Sequence, residues 1–476
     1  MASLIWRITR NSSQIFLGRF TNLLLNFVAF ILLANYLGPD LFGRLTFAIA
    51  FVGFFDAISN FGINQITLRE ISKENRNSEE ILSQGLLLKF LFSLIAFISC
   101  DIGIVLLGYS REIINLVWII SFNFFISAKL SSFRKFLEVI FQRKLKMGLP
   151  VFFSVSDNLL FLTMILILLK HKIPMMWLAI IYTATNVPGF LLMIWQFFKK
   201  AKLKFILNRN LLKYFLRETF PVFLLVSFSS LILRIDVFLL SQFQTESDIG
   251  LYNAATRLFI PLPFLQLAIS ASLYPLFASY YKTDPRKFKT LFHVGFNFLM
   301  LVSLFLGSIY VSYGNQIIQL IYKPEYIRSA IAIKIFGPAI FFMSVMYFGV
   351  DLSLAIGIQR HSALALFITM IINLGLNVVM IPSLSFEGAS IAKLCSFIAG
   401  AFFIYYFLQK EIPLFTFKQL LKYFVFIAAI SVFTIILAPI NIFLFSGIAM
   451  VVFLILAFSL GIIDLGKIRL LRETAL

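Results

Sequence analysis

Apolar runs of about twenty residues alternate with short basic or polar stretches along all 476 residues. A helix of that length spans the hydrocarbon core of a bilayer, and in lipid a spanning segment must satisfy its own backbone. Such runs lie near 15–37, 42–63, 85–108, 112–130, 149–169, 174–198, 218–242, 249–272, 290–313, 330–358, 361–382, 386–409, 418–440 and 442–464. The pattern predicts an all-α polytopic membrane protein of about fourteen transmembrane helices. The first run follows Arg7 and Arg10 and is too long for the core of a signal peptide, so it reads as a retained helix.

Composition agrees with the pattern. Hydrophobic residues make up 60% of the chain, 59 residues are Phe, and only 13% are charged, against about 25% in soluble domains. The formal net charge of +20 raises the question of a nucleic-acid partner. Apolar runs separate the basic residues throughout, so the excess is expected to set topology and meet anionic membrane lipids instead. With the N-terminus inside, most Lys and Arg residues fall in cytoplasmic stretches. These include Arg69, Lys73, Arg76 and Lys89, then Lys129, Arg134 and Lys146, the segment from Lys199 to Arg217, and the tail with Lys467. Both termini are therefore expected in the cytoplasm.

The segment Lys199–Glu218 (KKAKLKFILNRNLLKYFLRE) is basic and amphipathic, and is expected to lie on the cytoplasmic surface. Six predicted spans precede it. The organisation expected is an N-lobe over 1–198, a linker over 199–217, a C-lobe over 218–409, and two further helices with a tail over 410–476. Pro188, Pro221, Pro261, Pro263, Pro275 and Pro338 mark kinks. Outer loops of no more than about 20 residues disfavour an extracytoplasmic catalytic domain. Cys100, Cys395 and three scattered His residues suggest neither a disulfide framework nor a metal site, and no cofactor is expected. Nothing matches GxxxxGK[ST], HExxH or GxSxG, which argues against an ATPase and against enzyme chemistry.

The informative residues are charges inside apolar runs, where each costs roughly 2.5–3.5 kcal/mol on insertion scales. In LILRIDVFLL, Leu231–Leu240, Arg234 and Asp236 project about 200° apart on a helix, so each needs its own partner. Predicted topology puts Arg234, Asp236, Arg257, Lys393 and Arg44 toward the outer side. Asp56, Asp157 and Asp351 fall in inner halves, and Arg19 near the inner end of the first span. Basic side chains in a cavity suit an anionic substrate, because Arg grips phosphate oxygens bidentately. Acidic groups suit coupling to a proton or cation. The candidates for substrate binding are Arg234, Arg257, Arg44, Arg19 and Lys393; those for coupling are Asp56, Asp236, Asp351 and Asp157. The competing reading makes Arg234, Asp236 and Arg257 structural ion pairs between helices.

Four stretches in order carry a family resemblance: LANYLGPDLFGRLTFA (Leu33–Ala48), FGINQITLREISK (Phe61–Lys73), RIDVFLLSQFQTESDIGLYNAATRL (Arg234–Leu258) and IPSLSFEGASIAKL (Ile381–Leu394). They resemble polysaccharide-biosynthesis transporters, the O-antigen (Wzx-type) flippases of the MOP superfamily, which also holds lipid II flippases and MATE exporters. The resemblance implies two six-helix lobes around a central cavity lined by helices one, two, seven and eight. It implies an activity as well: flipping an undecaprenyl-pyrophosphate-linked oligosaccharide to the outer leaflet of the bacterial inner membrane. Implied partners are that lipid-linked glycan, H⁺ or Na⁺ as coupling ion, and a glycan polymerase complex. Lys393 departs from the family pattern, where a small or hydroxyl residue is usual. Two alternatives stand beside this one. A MATE-like cation-coupled exporter wants acidic rather than basic cavity residues. A membrane glycan polymerase or glycosyltransferase wants a sizeable outer loop or an acidic nucleotide-sugar motif.

Overall fold

The computed structural model describes residues 2–73, 78–171, 173–203, 208–437 and 441–462, with side chains from Arg10 onward except those of Leu265 and Phe443. Arg7, Arg76, Lys172, Lys204 and the basic tail from Lys467 lie outside the described side chains. No strand occurs among the described residues. The chain divides into two compact units, Met1–Gly250 and Leu251–Leu476.

The first unit begins with α1 (Ala2–Asn60), two helices that meet at Gly38 (φ 72°, ψ 171°) just before Pro39. Proline cannot supply the next backbone donor, and only glycine takes that positive φ cheaply, so the chain turns where the first two predicted spans divide. α2 (Ile63–Ile71) and α3 (Ser78–Leu106) follow. α4 (Arg111–Ser121) is capped by the Ser110 side chain, which accepts from the backbone N–H of Ile113. α5 (Asn123–Ile126), α6 (Phe133–Leu137) and α7 (Val139–Arg143) are short. α8 (Gly148–Leu168), α9 (Met175–Ala184), α10 (Val187–Lys200) and α11 (Arg209–Phe243) complete the unit, together with the first residues of α12 (Glu246–Phe259). One end of the unit is held by an apolar core in which Phe136, Phe197 and Phe215 are fully buried.

The second unit contains the rest of α12, then α13 (Pro263–Thr283), α14 (Pro285–Ile321), α15 (Ser329–Ala355), α16 (Gln359–Glu411), α17 (Phe417–Leu437) and α18 (Ile442–Ser459). Asp284 caps α14, its carboxylate accepting from the N–H groups of Arg286 and Lys287 at 3.1 and 3.0 Å. α15 packs against α13, α14 and α16. Gly307 and Gly337 let the backbones of α14 and α15 meet, as small residues do where lipid-embedded helices pack closely. α16 is two helices joined at Ser385 (φ 53°), matching the two predicted spans there.

Nine described helices are long and apolar enough to cross a membrane, two of them, α1 and α16, doubled across a kink. Most of the predicted spans fall on these helices. Large apolar side chains such as Phe152, Trp177, Trp195, Phe402, Phe424 and Ile435 face outward, as lipid rather than water requires. The protein is an all-α polytopic membrane protein.

Two details differ from expectation. The run 112–130 is not one helix: α4 and α5 end at Ile126, and residues 127–132 lie outside any helix. The second half of Lys199–Glu218 is not a linker between helices. Arg209–Glu218 forms the opening turns of α11, which continues through Pro221, because Leu211, Leu212 and Phe215 join the apolar core. The first compact unit runs through α11, which packs along α1, to Gly250.

Candidate functional site

The break at residues 127–132 organises the charges of the first unit. A partly buried unwound segment frees backbone groups that something must satisfy. The N–H of Ser131 donates to Asp56 Oδ1 at 2.7 Å. The Lys89 ammonium donates to the carbonyls of Ser59 and Ser131. Ser132 Oγ donates to the Ser127 carbonyl, and Arg134 Nη1 donates to the Ile126 carbonyl at 3.3 Å. Ser59 and Ser93 hydroxyls join α1 to α3 at 3.0 Å beside this site.

Asp56 is the meeting point. Both Lys89, from α3, and Arg234, from α11, act on its carboxylate. Arg234 lies against Gly53, where an added Cβ would sit 2.7 Å from the guanidinium Nε. Lys89, expected in a cytoplasmic stretch, is fully buried. α3 begins at Ser78, seven residues before the apolar run, so Lys89 stands three turns inside the helix. The signal was a single cation within LLLKFLF, with Ser83 and Gln84 buried ahead of it.

Asp157 belongs to a different group. It forms a fully buried ion pair with Arg134, expected in a loop, and also accepts from the Gly189 N–H at 3.2 Å. A side chain at Gly189 would run into both partners, so Pro188-Gly189 serves close packing against this pair. Arg134 Nη1 further donates to the Asn186 carbonyl at 3.1 Å, where α9 and α10 part. Lys129 lies over the rings of Phe161 and Tyr182, at 4.6 and 4.5 Å from their centroids. Between α1 and α8 runs a polar seam: Asn22 donates to Ser154 at 3.0 Å, Asn26 to Asn158 at 2.9 Å and Asn158 to Asn22 at 2.6 Å.

Arg44 makes ion pairs with Glu112 and Glu246, tying α1 to α4 and to the start of α12. Beside it Gly43 and Gly250 admit the backbones of Glu246 and Pro39, so α12 nests in the α1 kink. Arg19 is exposed on α1. Asp236 is fully buried in α11, and its Oδ1 accepts from the Val237 N–H at 2.9 Å.

In the second unit Arg257 is half-buried on α12, and its charge acts on Tyr322, whose hydroxyl donates to the Ala254 carbonyl at 3.1 Å. Lys393 is buried on α16, its ammonium 5.6 Å from the centre of the Tyr252 ring. Asp351, on α15, accepts from Gln266 Nε2 at 2.8 Å, and the same amide reaches Ser270 at 2.7 Å. No cluster of metal-ligating side chains occurs among the described residues.

This arrangement, buried charges on kinked and broken helices, can be set beside known proteins. A family model described as "Polysaccharide biosynthesis protein" matches residues 8–281, more than half of the chain. The protein belongs to that polysaccharide biosynthesis family. Residues Asp56, Lys89, Arg134, Asp157 and Arg234 all fall within the stretch that defines membership. Solved structures share its fold. The lipid II flippase MurJ in an inward closed conformation superposes with a TM-score of 0.70 at 15% identity, covering 95% of this chain and 98% of that one. An inward-facing multidrug resistance MATE transporter of the MOP superfamily gives 0.66 at 15% identity, covering 82% and 94%. A MOP superfamily transporter from Pyrococcus furiosus, whose binding pocket is described as of reversed polarity, gives 0.61 at 15% identity, covering 86% and 95%. No curated protein sequence matches this family member.

Proposed function

We propose that the protein is a flippase that carries an undecaprenyl-pyrophosphate-linked oligosaccharide repeat unit from the cytoplasmic to the outer leaflet of the bacterial inner membrane, for O-antigen, capsule or exopolysaccharide synthesis. The observation that carries this reading is the charged set of the first unit. Arg234 and Lys89 are concentrated on one buried carboxylate beside a broken helix, inside a protein of the polysaccharide biosynthesis family. Discontinuous helices with charged side chains are how transporters hold ionic substrate groups at membrane depth. Arg234 and Arg257 bind the pyrophosphate, with Arg44, Arg19 and Lys393 as further contacts for phosphate and sugar. The lobes 1–198 and 218–409 alternate in access, joined by 199–217, with both termini cytoplasmic. Residues 410–476 serve the lipid tail, and an apolar cleft of about 260 Å³ between α14, α15 and α17, reaching Ile427, Ile430 and Ile435, supports that placement.

Coupling is assigned first to Asp56, ahead of Asp236, Asp351 and Asp157. A carboxylate that holds the unwound segment through one N–H releases it when a proton or Na⁺ takes that oxygen. A role for Asp157 is disfavoured by its closed pairing with Arg134. The protein moves its substrate and does not transform it; a glycan polymerase complex receives the product. The test is complementation of a flippase-null strain with an Arg234→Ala, Arg257→Ala double variant. Loss of glycan export with normal membrane insertion is expected, and wild-type export refutes the assignment. Drug efflux with no glycan export would favour the MATE-like alternative.

A further inference from the structure

Away from the buried charges, a pocket of about 530 Å³ opens in the first unit where the ends of three helices meet: the start of α1, the start of α8 and the end of α10. Its polar wall carries Arg10, Lys146 and Lys200, and its apolar wall Phe141, Leu145 and Leu149. None of its described lining residues is a carboxylate. Lys144 and Lys199 stand close enough to act on Lys200 as well, so like charges gather where a closed protein would separate them. Lys146 and Lys200 are exposed on the rim, and the Lys200 ammonium lies 4.6 Å from the centre of the Phe141 ring.

The turn that bears Lys146 is built rather than loose. Asn11 Oδ1 accepts from the Met147 N–H at 2.8 Å, fastening the turn to α1. Leu145 holds a left-handed backbone (φ 51°), a conformation that costs of order 1–3 kcal/mol and persists where surrounding contacts demand it. α8 starts immediately afterwards, at Gly148, and the positive end of its dipole favours an anion nearby.

We propose that this pocket is a binding site for the headgroup phosphate of an anionic glycerophospholipid, with the acyl chains leaving along Phe141, Leu145 and Leu149. The chemistry is that of basic pockets between membrane helices at the interface, which take anionic lipid headgroups. The pocket shares no lining residue with the Asp56 set or with the side chains proposed for substrate, so it is a separate site. It stands whatever substrate the protein carries.

The test uses the full-length protein, delipidated in detergent and titrated under native mass spectrometry. The probes are phosphatidylglycerol, phosphatidylcholine of the same acyl chains, undecaprenyl pyrophosphate and inorganic pyrophosphate. Phosphatidylglycerol is expected to bind at least tenfold more tightly than phosphatidylcholine. Each lysine near an anionic group contributes about a factor of five, so Lys146→Gln with Lys200→Gln weakens phosphatidylglycerol roughly 25-fold. Lys146→Arg with Lys200→Arg retains it, and Lys282→Gln with Arg286→Gln, at exposed positions in the second unit, leaves it unchanged. Lys200→Gln alone replaces an exposed side chain, keeps the fold and loses about fivefold. Equal binding of the two phospholipids refutes the proposal, as does an equal loss in the second-unit control. Undecaprenyl pyrophosphate or free pyrophosphate captured in place of phosphatidylglycerol reassigns the pocket to substrate or to a soluble anion, and also overturns it.

Discussion

Lys89→Met separates a structural scaffold from a coupling device at Asp56. The ammonium donates to the buried carbonyls of Ser59 and Ser131 and acts on the Asp56 carboxylate. Its removal leaves two carbonyls short of a charged donor and strips one of the two cations from a buried acid. Breaking one side of a buried ion pair costs about 3–5 kcal/mol; Lys89 reaches Asp56 electrostatically and through the shared Ser131 backbone, and Arg234 still acts on the acid, so no more than about 3 kcal/mol is expected. Asp56→Asn keeps an oxygen for the Ser131 N–H and leaves the Lys89 hydrogen bonds in place, so about 1–2 kcal/mol is expected. The double variant no longer strands a charge, and should fall short of the sum of the singles by about 1–3 kcal/mol. SDS-induced unfolding in mixed micelles measures all four corners of this cycle. Single effects that add to within about 0.5 kcal/mol would show that Lys89 and Asp56 do not act as a unit. Export read in parallel separates the roles: Asp56→Asn is expected to abolish export while remaining folded, and full export would leave Asp56 a purely structural pin.

Three further outcomes follow from the geometry. Arg134→Met leaves Asp157 buried without its ion-pair partner, still accepting from the Gly189 N–H, and should destabilise by about 3 kcal/mol or more in the same SDS assay; Arg134→Met with Asp157→Leu should recover much of it. Arg44→Gln should change stability by no more than about 1 kcal/mol, since its ion pairs are partly exposed, so a large loss of export in that variant would assign Arg44 to substrate. Gly43→Leu drives a side chain into the backbone of Glu246 and should abolish folded protein on fluorescence-detected size exclusion, whereas normal folding would contradict the close contact of α1 with α12.

Much of the architecture was legible because hydrophobic run length answers to a single external quantity, the thickness of a bilayer. The turn at Gly38-Pro39 and the divisions between successive spans follow from local stereochemistry and could be placed within a few residues. What escaped were places where one part of the chain repairs another. Residues 127–132 read as the end of a span and its loop; they are a break whose Ser131 backbone is held by Asp56 and Lys89, with Arg134 on the Ile126 carbonyl at its edge. Lys89 and Arg134 looked like ordinary topogenic cations because each sits where polar residues approach an apolar run, and only the partner helix makes them buried. In Lys199–Glu218 the amphipathic period is real, and what the sequence did not show is that Phe215 on its apolar face packs into a core with α2, α6 and α10.

The sequence by itself determined that this chain is a membrane-spanning helical protein, which apolar runs must cross the bilayer, and that a few charges must find partners within it. Those conclusions need only the cost of leaving a backbone group or a charge in hydrocarbon, a cost fixed residue by residue. Which partners the charges find was decided by the tertiary structure alone. Asp56 meets Lys89 and Arg234 across 33 and 178 positions of sequence, and Asp157 meets Arg134 instead of solvent or substrate. Pairings over such distances depend on how helices pack, and packing in lipid is set by small residues, breaks and hydrogen bonds scattered along the chain rather than by any local pattern.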